Sequence, residues 1–95
     1  MATQIAAARQ LSYAAARAMD EDEGAALQAS MAKLLSSDIA VAVTQEGQLI
    51  HGGWGYAEEF AISRHVVDAL VLPIFEGVKP ILELKVIARA LLGER

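Results

Sequence analysis

Apolar residues recur at steps of three and four along most of this 95-residue chain, and that spacing most limits the folds open to it. In residues 2–19 the apolar series is Ile5, Ala8, Leu11, Ala15 and Ala18. In residues 25–50 it is Leu27, Met31, Leu34, Leu35, Ile39, Ala42 and Val43. Arg9, Gln10, Tyr13 and Arg17 lie elsewhere around the first stretch, and good helix formers dominate the second as far as Leu35. The pattern predicts an amphipathic helix over each stretch.

The end of the second stretch also has a strand-like composition. Residues 39–43 are rich in β-branched side chains, and Glu46-Gly47 could turn the chain back through residues 48–50 as a hairpin. A lone two-stranded ribbon is marginal in water, and nothing else in the chain offers a third strand. We therefore predict one helix over residues 25–50, on the order of 35 to 40 Å long, with Gly47 as its weak point.

A glycine-rich stretch, His51-Gly52-Gly53-Trp54-Gly55-Tyr56, follows this helix. Glycines permit positive φ angles and let peptide N–H groups approach another molecule closely, but they also simply end helices, so both interpretations stay open. Downstream, residues 61–69 predict a short helix with Ile62 and Val66 on one face. Pro73 favours an extended segment over residues 70–75.

A final helix is predicted from Pro80 to Gly93, because proline suits a first helical turn and glycine suits a helix end. Its apolar face is formed by Ile81, Leu84, Ile87, Ala88 and Leu91. The predicted fold class is all-α, an antiparallel bundle of about four helices in a single domain, residues 1–95.

Composition adds a constraint on assembly. Hydrophobic residues make up 55% of the chain and mean hydropathy is +0.35, yet so short a chain buries only about 60% of its surface on folding. We expect a second copy or a neighbouring domain to cover the excess, as in a homo-oligomer. A net charge of −4 argues against nucleic-acid binding, and zero cysteines exclude disulfides and thiolate chemistry.

Membrane insertion is not expected, because the longest apolar run, residues 69–75, contains Pro73 and is too short to cross a bilayer. The first 19 residues contain Arg9 and Arg17 and no acid. That composition resembles an organelle transit peptide, but a plain alanine-rich helix is the favoured interpretation.

Glu76 is the candidate catalytic residue, since it is the one carboxylate between Ala69 and Val78. Apolar surroundings weaken the solvation of a carboxylate and make it a better general base. The alternative is that an acid just before a helix complements the positive N-terminal end of that helix.

The remaining candidates have structural alternatives. His51 and His65 lack a cluster of further ligands at metal-binding spacing, so hydrogen-bonded histidines are favoured and no metal is predicted. Trp54 and Tyr56 are either a lid beside the glycine-rich stretch or part of the core, and we predict that they are core residues.

Charged residues near the N-terminus also have two interpretations. Arg9, Tyr13 and Arg17 share one helical face, which is either solvated or a site for an anion. The acidic run in residues 20–24 is interpreted as a solvated turn.

Four stretches together resemble one known family in order and spacing. They are Ala29-Ser30-Met31-Ala32-Lys33-Leu34, Ile50 to Tyr56, Ile74-Phe75-Glu76-Gly77, and Val86 to Gly93. Across nearly the whole chain they resemble the C-terminal helical domain of the acyl-CoA dehydrogenases. Members of that family run to about four times this length, so the resemblance implies a fragment that lacks the N-terminal and middle domains and the first bundle helix.

The resemblance implies FAD-dependent α,β-dehydrogenation of an acyl-CoA thioester, with transfer of electrons to a partner protein. Glu76 matches the base that removes the α-proton while a hydride goes to flavin N5, and its backbone N–H matches a donor to the thioester carbonyl. Phe75 and Gly77 match substrate-binding positions. Gly52 and Gly53 match glycines that lie against the FAD pyrophosphate of a neighbouring subunit.

Several positions depart from the family pattern. Leu49 stands where most members have glutamine, Val78 stands where threonine usually touches the flavin, Pro80 follows shortly after it, and the common Arg-Asp-Ala triplet is Val67-Asp68-Ala69 here. These departures bear on FAD affinity. Because the resemblance implies that the domains binding the flavin ring and acyl-CoA are missing, the isolated chain is expected to be inactive and to lose FAD. The alternative function is a non-catalytic helical oligomerisation module derived from the family.

The resemblance also bears on substrate and location. Residues 51–60 and 74–77 resemble those of members that act on short branched dicarboxylic acyl-CoAs. A bacterial cytoplasmic location is expected, with the mitochondrial matrix as the alternative.

Overall fold

The computed structural model describes residues 1–21 and 25–93. The described residues form four helices and no strand. Helix α1 spans Ala2–Glu21, α2 spans Ala25–Ile50 and α3 spans Ala61–Ala69. Helix α4 covers residues 79–92 without a break, as an α-helical turn at Lys79–Ile81, a π-helical segment at Leu82–Ile87 and an α-helical segment at Ala88–Leu92. The predicted bounds of α2 and α3 are confirmed, and the hairpin alternative for residues 39–50 is wrong.

Helix α2 is the element against which the others pack. The Ser12 and Ser36 hydroxyls lie 3.5 Å apart, nine residues before the end of α1 and eleven residues after the start of α2, as expected for an antiparallel hairpin. Ala15 and Ala18 of α1 are buried in this contact, as the predicted apolar face required. The acidic run predicted as a turn lies partly outside the described residues, and Asp20 and Glu21 end α1.

The predicted weak point of α2, Gly47, lies against Ile62 of α3. A Cβ added at Gly47 would lie 3.1 Å from the Ile62 Cδ1 atom, which is tighter than ordinary van der Waals contact. The glycine therefore permits α3 to pack on α2, which offsets the low helix propensity of that residue.

Residues 70–78, which connect α3 to α4, form successive turns, so the predicted extended segment is wrong. The N–H groups of Leu72 and Ile74 donate to the carbonyls of Ala69 and Val71, at 3.1 and 3.0 Å. An extended segment with no neighbouring strand would leave such groups without protein partners, whereas turns satisfy them locally.

The last helix ends as predicted but turns a different face inward. Gly93 has a left-handed φ of 75° and caps α4. Leu82 is the buried residue of this helix, while three members of the predicted face are exposed: Ile81 by 43%, Leu84 by 69% and Leu91 by 65%. Because π-helical hydrogen bonds span five residues rather than four, they shift the register of the inward face.

The core is small for so apolar a chain. Its buried apolar residues are Ala15, Ala18, Ala32, Ala69 and Leu82. No side chain among the described residues is fully buried, and the Cα trace measures 49 × 23 × 17 Å. The apolar excess therefore lies largely on the surface. Helix α2 is long and apolar enough by length and composition to cross a membrane, a property that core helices share, and here it contacts α1, α3 and α4.

Candidate functional site

The candidate base lies in an unusual backbone turn between α3 and α4. Glu76 has a φ of 52° and Gly77 a φ of 105°, so two consecutive residues occupy the left-handed side of the φ range. A Cβ at Gly77 would also lie 3.0 Å from the Leu82 side chain, so that position requires glycine on two grounds. The Glu76 side chain is exposed, and the apolar enclosure predicted for it is not formed by this chain.

The surface around Glu76 is apolar. The preceding residues are exposed, Ile74 by 63% and Phe75 by 47%, and Val78 follows the turn at 39%. Among the described residues no backbone carbonyl accepts a hydrogen bond from the Glu76 N–H. The turn therefore presents a carboxylate and a backbone donor beside an apolar surface.

Lys33 of α2 forms hydrogen bonds to this turn, a role that the sequence analysis did not predict. Its Nζ donates to the Leu72 carbonyl at 2.7 Å and to the Gly77 carbonyl at 2.8 Å. The same atom lies 5.9 Å from the centre of the Phe75 ring. The signal that could have found it is a polar pair, Lys33 and Ser37, four residues apart on one face of an apolar helix. Ser37 is buried and donates to the Leu72 carbonyl at 3.3 Å.

A second polar contact fixes the start of α4. The Lys79 ammonium lies 3.1 Å from the Asp38 carboxylate, and the Lys79 N–H donates to the Pro73 carbonyl at 2.9 Å. The hydrogen bond to Asp38 and the charge of that carboxylate raise the pKa of Lys79 above its ordinary value. Both ends of the turn that carries Glu76 are thus attached to α2.

The glycine-rich stretch begins directly after α2 and forms a 3₁₀ turn at Gly52–Gly55. Its three glycines have different surroundings. A Cβ at Gly55 would overlap the Gln48 carbonyl oxygen, so the fold itself requires that glycine. Gly52 has a φ of 64°, while Gly53 does not have a positive φ, and a Cβ at either would meet nothing within 4 Å. The fold therefore makes no demand for glycine at position 53.

The aromatic residues of this stretch lie on the surface. Trp54 is 69% exposed and Tyr56 is 86% exposed, so the prediction that they are core residues is wrong. The Trp54 ring packs edge-on against Phe60, with ring centres 5.6 Å apart. His51 Nδ1 lies 2.6 Å from the Gly47 carbonyl, which confirms the hydrogen-bonded interpretation of that histidine.

The other candidate sites, a groove beside α3, possible metal ligands and the charged face of α1, bring together fewer reactive groups. An open groove of about 610 Å³ lies between the end of α2, Tyr56 and α3, with Arg64 and Asp68 among its lining residues. Within the described ranges no group of three potential ligands converges as a metal site would require. The three residues of the candidate anion face on α1, Arg9, Tyr13 and Arg17, are exposed.

The two candidate segments are far apart within one chain. The turn with Glu76 is attached at Lys33, whereas the glycine-rich stretch starts beyond Ile50. Along α2 these positions are separated by about 26 Å at 1.5 Å per residue. A single copy therefore does not bring Glu76 together with Gly52 and Gly53.

Comparisons with known proteins agree on one family. The family model described as "Acyl-CoA dehydrogenase, C-terminal domain" matches residues 1–92. A (2S)-methylsuccinyl-CoA dehydrogenase from Cereibacter sphaeroides is 47% identical over 92 residues, which are 97% of this chain and 17% of that protein. Relatives are found in bacteria such as Bacillus subtilis and in the mitochondria of Bos taurus.

Solved structures give the same result. The structure of butyryl-CoA dehydrogenase from Megasphaera elsdenii is similar with a TM-score of 0.92 and 42% identity, covering 97% of this chain and 24% of that one. A structure described for the electron transferring flavoprotein of Acidaminococcus fermentans has a TM-score of 0.92 and 39% identity, with the same coverage of both chains. The chain thus spans about a quarter or less of the length of these relatives.

Proposed function

Because the chain belongs to the acyl-CoA dehydrogenase family and spans its C-terminal domain, we propose that it completes an intact FAD-dependent enzyme that oxidises the Cα–Cβ bond of an acyl-CoA thioester. Glu76 is the base of that intact enzyme. The observation that carries the proposal is the exposed carboxylate of Glu76, held in a left-handed turn beside apolar surface. The 95-residue chain alone is expected to be inactive.

The turn supplies two functions to the reaction. The Glu76 carboxylate takes the α-proton of the thioester, and the backbone N–H of the same residue donates to the thioester carbonyl, which acidifies that proton. The exposed side chains of Ile74 and Phe75 offer apolar contact to the acyl chain. When bound, the flavin supplies the hydride acceptor for the β-carbon.

The residues of the glycine-rich stretch fit a role in holding FAD. Gly53 has open space where a Cβ would stand, and its φ is not positive. The fold of this chain would therefore accept another residue at position 53 and does not explain why glycine is found there. Close approach of a phosphate to the peptide backbone does explain it. We assign Gly52 and Gly53 to the FAD pyrophosphate on this argument.

Because the turn with Glu76 and the glycine-rich stretch lie far apart along α2, a site that uses both segments needs two chains. A homo-oligomer in which Gly52 and Gly53 of one subunit serve Glu76 of another meets this requirement. Residues 74–84 also expose apolar side chains that such an assembly can cover. Coverage of this surface by other domains or subunits supplies the dry surroundings that the isolated chain lacks.

The proposed substrate is an acyl-CoA thioester, and the similarity to a (2S)-methylsuccinyl-CoA dehydrogenase makes short branched dicarboxylic acyl-CoAs the first compounds to test. The proposed electron acceptor is an electron-transferring flavoprotein, in a bacterial cytoplasm.

Replacing Glu76 with glutamine in the intact enzyme tests the proposal. Anaerobic mixing with acyl-CoA is expected to show flavin reduction slowed by about 10²- to 10⁴-fold, with acyl-CoA affinity largely kept, because the amide cannot accept the proton. Glu83→Gln, at an exposed acid of α4, is the matched control and should reduce flavin at the wild-type rate. Unchanged flavin reduction in Glu76→Gln would contradict the assignment.

The flavin itself separates this proposal from the alternative. Leu49 stands where most of the family has glutamine, and Val78 stands where most of the family has a threonine that contacts flavin. These departures favour a helical association module that has lost the cofactor. The intact protein is expected to purify with a flavin absorbance spectrum. A colourless protein that also fails to take up added FAD would favour the module.

A further inference from the structure

Within the turn that carries Glu76, the Lys79 N–H donates to the Pro73 carbonyl at 2.9 Å, and side chains of α2 add contacts from outside the turn. Glu76 adopts a backbone conformation that side chains with a Cβ rarely occupy, and its side chain is exposed. Such a conformation persists only where the surrounding structure fixes it. Beside the turn's own backbone hydrogen bond from Lys79 to Pro73, the side-chain contacts that fix it come from α2, more than 30 residues upstream in the sequence.

Lys33 makes the central contact. Its ammonium group donates to carbonyls on both sides of Glu76, at 2.7 Å to Leu72 and 2.8 Å to Gly77. Hydrogen bonds from a charged donor are stronger than neutral ones, and they are less screened because Lys33 is partly buried. The two bonds close the turn like a clamp, with Phe75 and Glu76 between the two points of attachment.

The chemistry of lysine suits this position. An ammonium carries three donors around one atom, so it can serve two carbonyls that converge on a point and still face the Phe75 ring at 5.9 Å. The planar fork of arginine spreads its donors apart. Ser37 reinforces one of the two attachments through its 3.3 Å hydrogen bond to the Leu72 carbonyl.

We propose that Lys33 is a positioning residue for the reaction, because its ammonium group sets the direction of the Glu76 carboxylate and backbone N–H by clamping residues 72–77 onto α2. This inference rests on the proposed function, in which Glu76 is the base. Lys33 itself contacts neither substrate nor cofactor and acts through Glu76. Its removal should leave a base that is present but aimed incorrectly.

Lys33→Met in the intact enzyme, which keeps chain length and removes charge and donors, tests the inference. The rate constant of flavin reduction is expected to fall by about 10- to 100-fold, since a misplacement of about 1 Å costs this much, while the Kd for acyl-CoA changes little. The primary isotope effect with α-deuterated acyl-CoA should rise, because proton transfer then limits the rate more fully. Amide hydrogen exchange in residues 74–79 should become faster.

Control variants separate the loss of the Lys33 hydrogen bonds from the loss of any lysine and from misfolding. Lys85→Met removes an exposed lysine from α4 and should match wild type in every measurement. Lys33→Arg keeps the charge and should recover part of the rate. If Lys33→Met does not fold, Lys33→Gln replaces it, since an uncharged amide can still donate to one carbonyl; its rate should lie below that of Lys33→Arg.

Two results would overturn the inference. One is a Lys33→Met enzyme with faster amide exchange in the turn but a wild-type rate and isotope effect. The other is Lys33→Gln reducing flavin as fast as wild type. Failure of the proposed function has a different signature, namely full activity of Glu76→Gln, so the two failures can be told apart.

Discussion

Replacing Gly52, Gly53 and Gly55 one at a time by alanine separates the demands of the fold from those of a ligand. At Gly55 a Cβ would overlap the Gln48 carbonyl oxygen and lie 3.1 Å from both Gln48 Cγ and His51 Cβ. At Gly52 there is space, but the backbone has a φ of 64°. At Gly53 there is space and no positive φ. The three substitutions add the same methyl group to three different environments.

These environments set the expected changes in the free energy of unfolding. Gly55→Ala should cost about 1 to 3 kcal/mol, because the overlap is with backbone that cannot rotate away. Gly52→Ala should cost about 1 to 2 kcal/mol for a left-handed conformation with a Cβ. Gly53→Ala should cost nothing and should stabilise by up to about 1 kcal/mol, because alanine restricts the unfolded chain.

Measurements on the intact enzyme without flavin avoid the stabilisation that a bound ligand adds to the folded state. Chemical denaturation of the apoenzyme should rank the variants with Gly55→Ala least stable and Gly53→Ala at or above wild type. FAD titration should give a different order, in which Gly53→Ala binds at least about tenfold more weakly because its methyl group occupies space meant for a phosphate.

Two outcomes would refute the reasoning about these glycines. If Gly53→Ala destabilises the apoenzyme as much as Gly55→Ala, the open space seen at position 53 is not a property of the folded protein. If Gly53→Ala binds FAD as tightly as wild type, the backbone at that position does not contact the cofactor.

Two further predictions concern assembly and charge. Equal amounts of Glu76→Gln and Gly53→Trp subunits, mixed under conditions that allow subunit exchange, should recover about a quarter of wild-type activity. Half of the random pairs contain one subunit of each kind, and in each such pair one of the two sites combines an intact Glu76 with an intact Gly53. No recovery of activity would mean that both segments serve the site of the same chain. Asp38→Asn should lower the thermal stability of the enzyme at pH 7. The folded pKa of Lys79 is raised, so its stabilising contribution is complete below the ordinary pKa of 10.5 and is lost as pH rises through the folded value. The difference in Tm from wild type should therefore shrink above that pH and in high salt, and a constant difference would contradict it.

The helices were predictable because helical periodicity is a local property. Residues 25–50 and 61–69 each form a helix with the predicted bounds, although Gly47 and the β-branched residues 39–43 argued against one continuous helix over 25–50. Residues 70–75 were predicted wrongly because Pro73 limits the backbone without specifying the fold around it. That fold also depends on contacts distant in sequence, such as those of Lys33, whose carbonyl partners lie 39 and 44 residues downstream.

The candidate site was predictable only in part. Glu76 and the glycine-rich stretch could be identified by residue type and by resemblance, and their assignments stay predictions. The inward face of α4 could not be predicted, because the π-helical segment shifts Leu82 into the position that regular periodicity gave to Ile81 and Leu84. The exposure of Trp54 was missed because an aromatic side chain in an apolar chain is ordinarily core.

The small core and the divided site have a common physical cause in the proposed enzyme. Helix α2 holds Glu76 near one end and leads to Gly53 at the other, about 26 Å away, so folding of one chain cannot close a cleft around both. Only association brings them together, and association also removes water from the apolar side chains of α4 and of the turn. Completion of the site and stabilisation of the fold therefore depend on the same equilibrium. A substitution that weakens assembly should for this reason reduce cofactor affinity and stability together, even when it lies far from Glu76 and from the glycines.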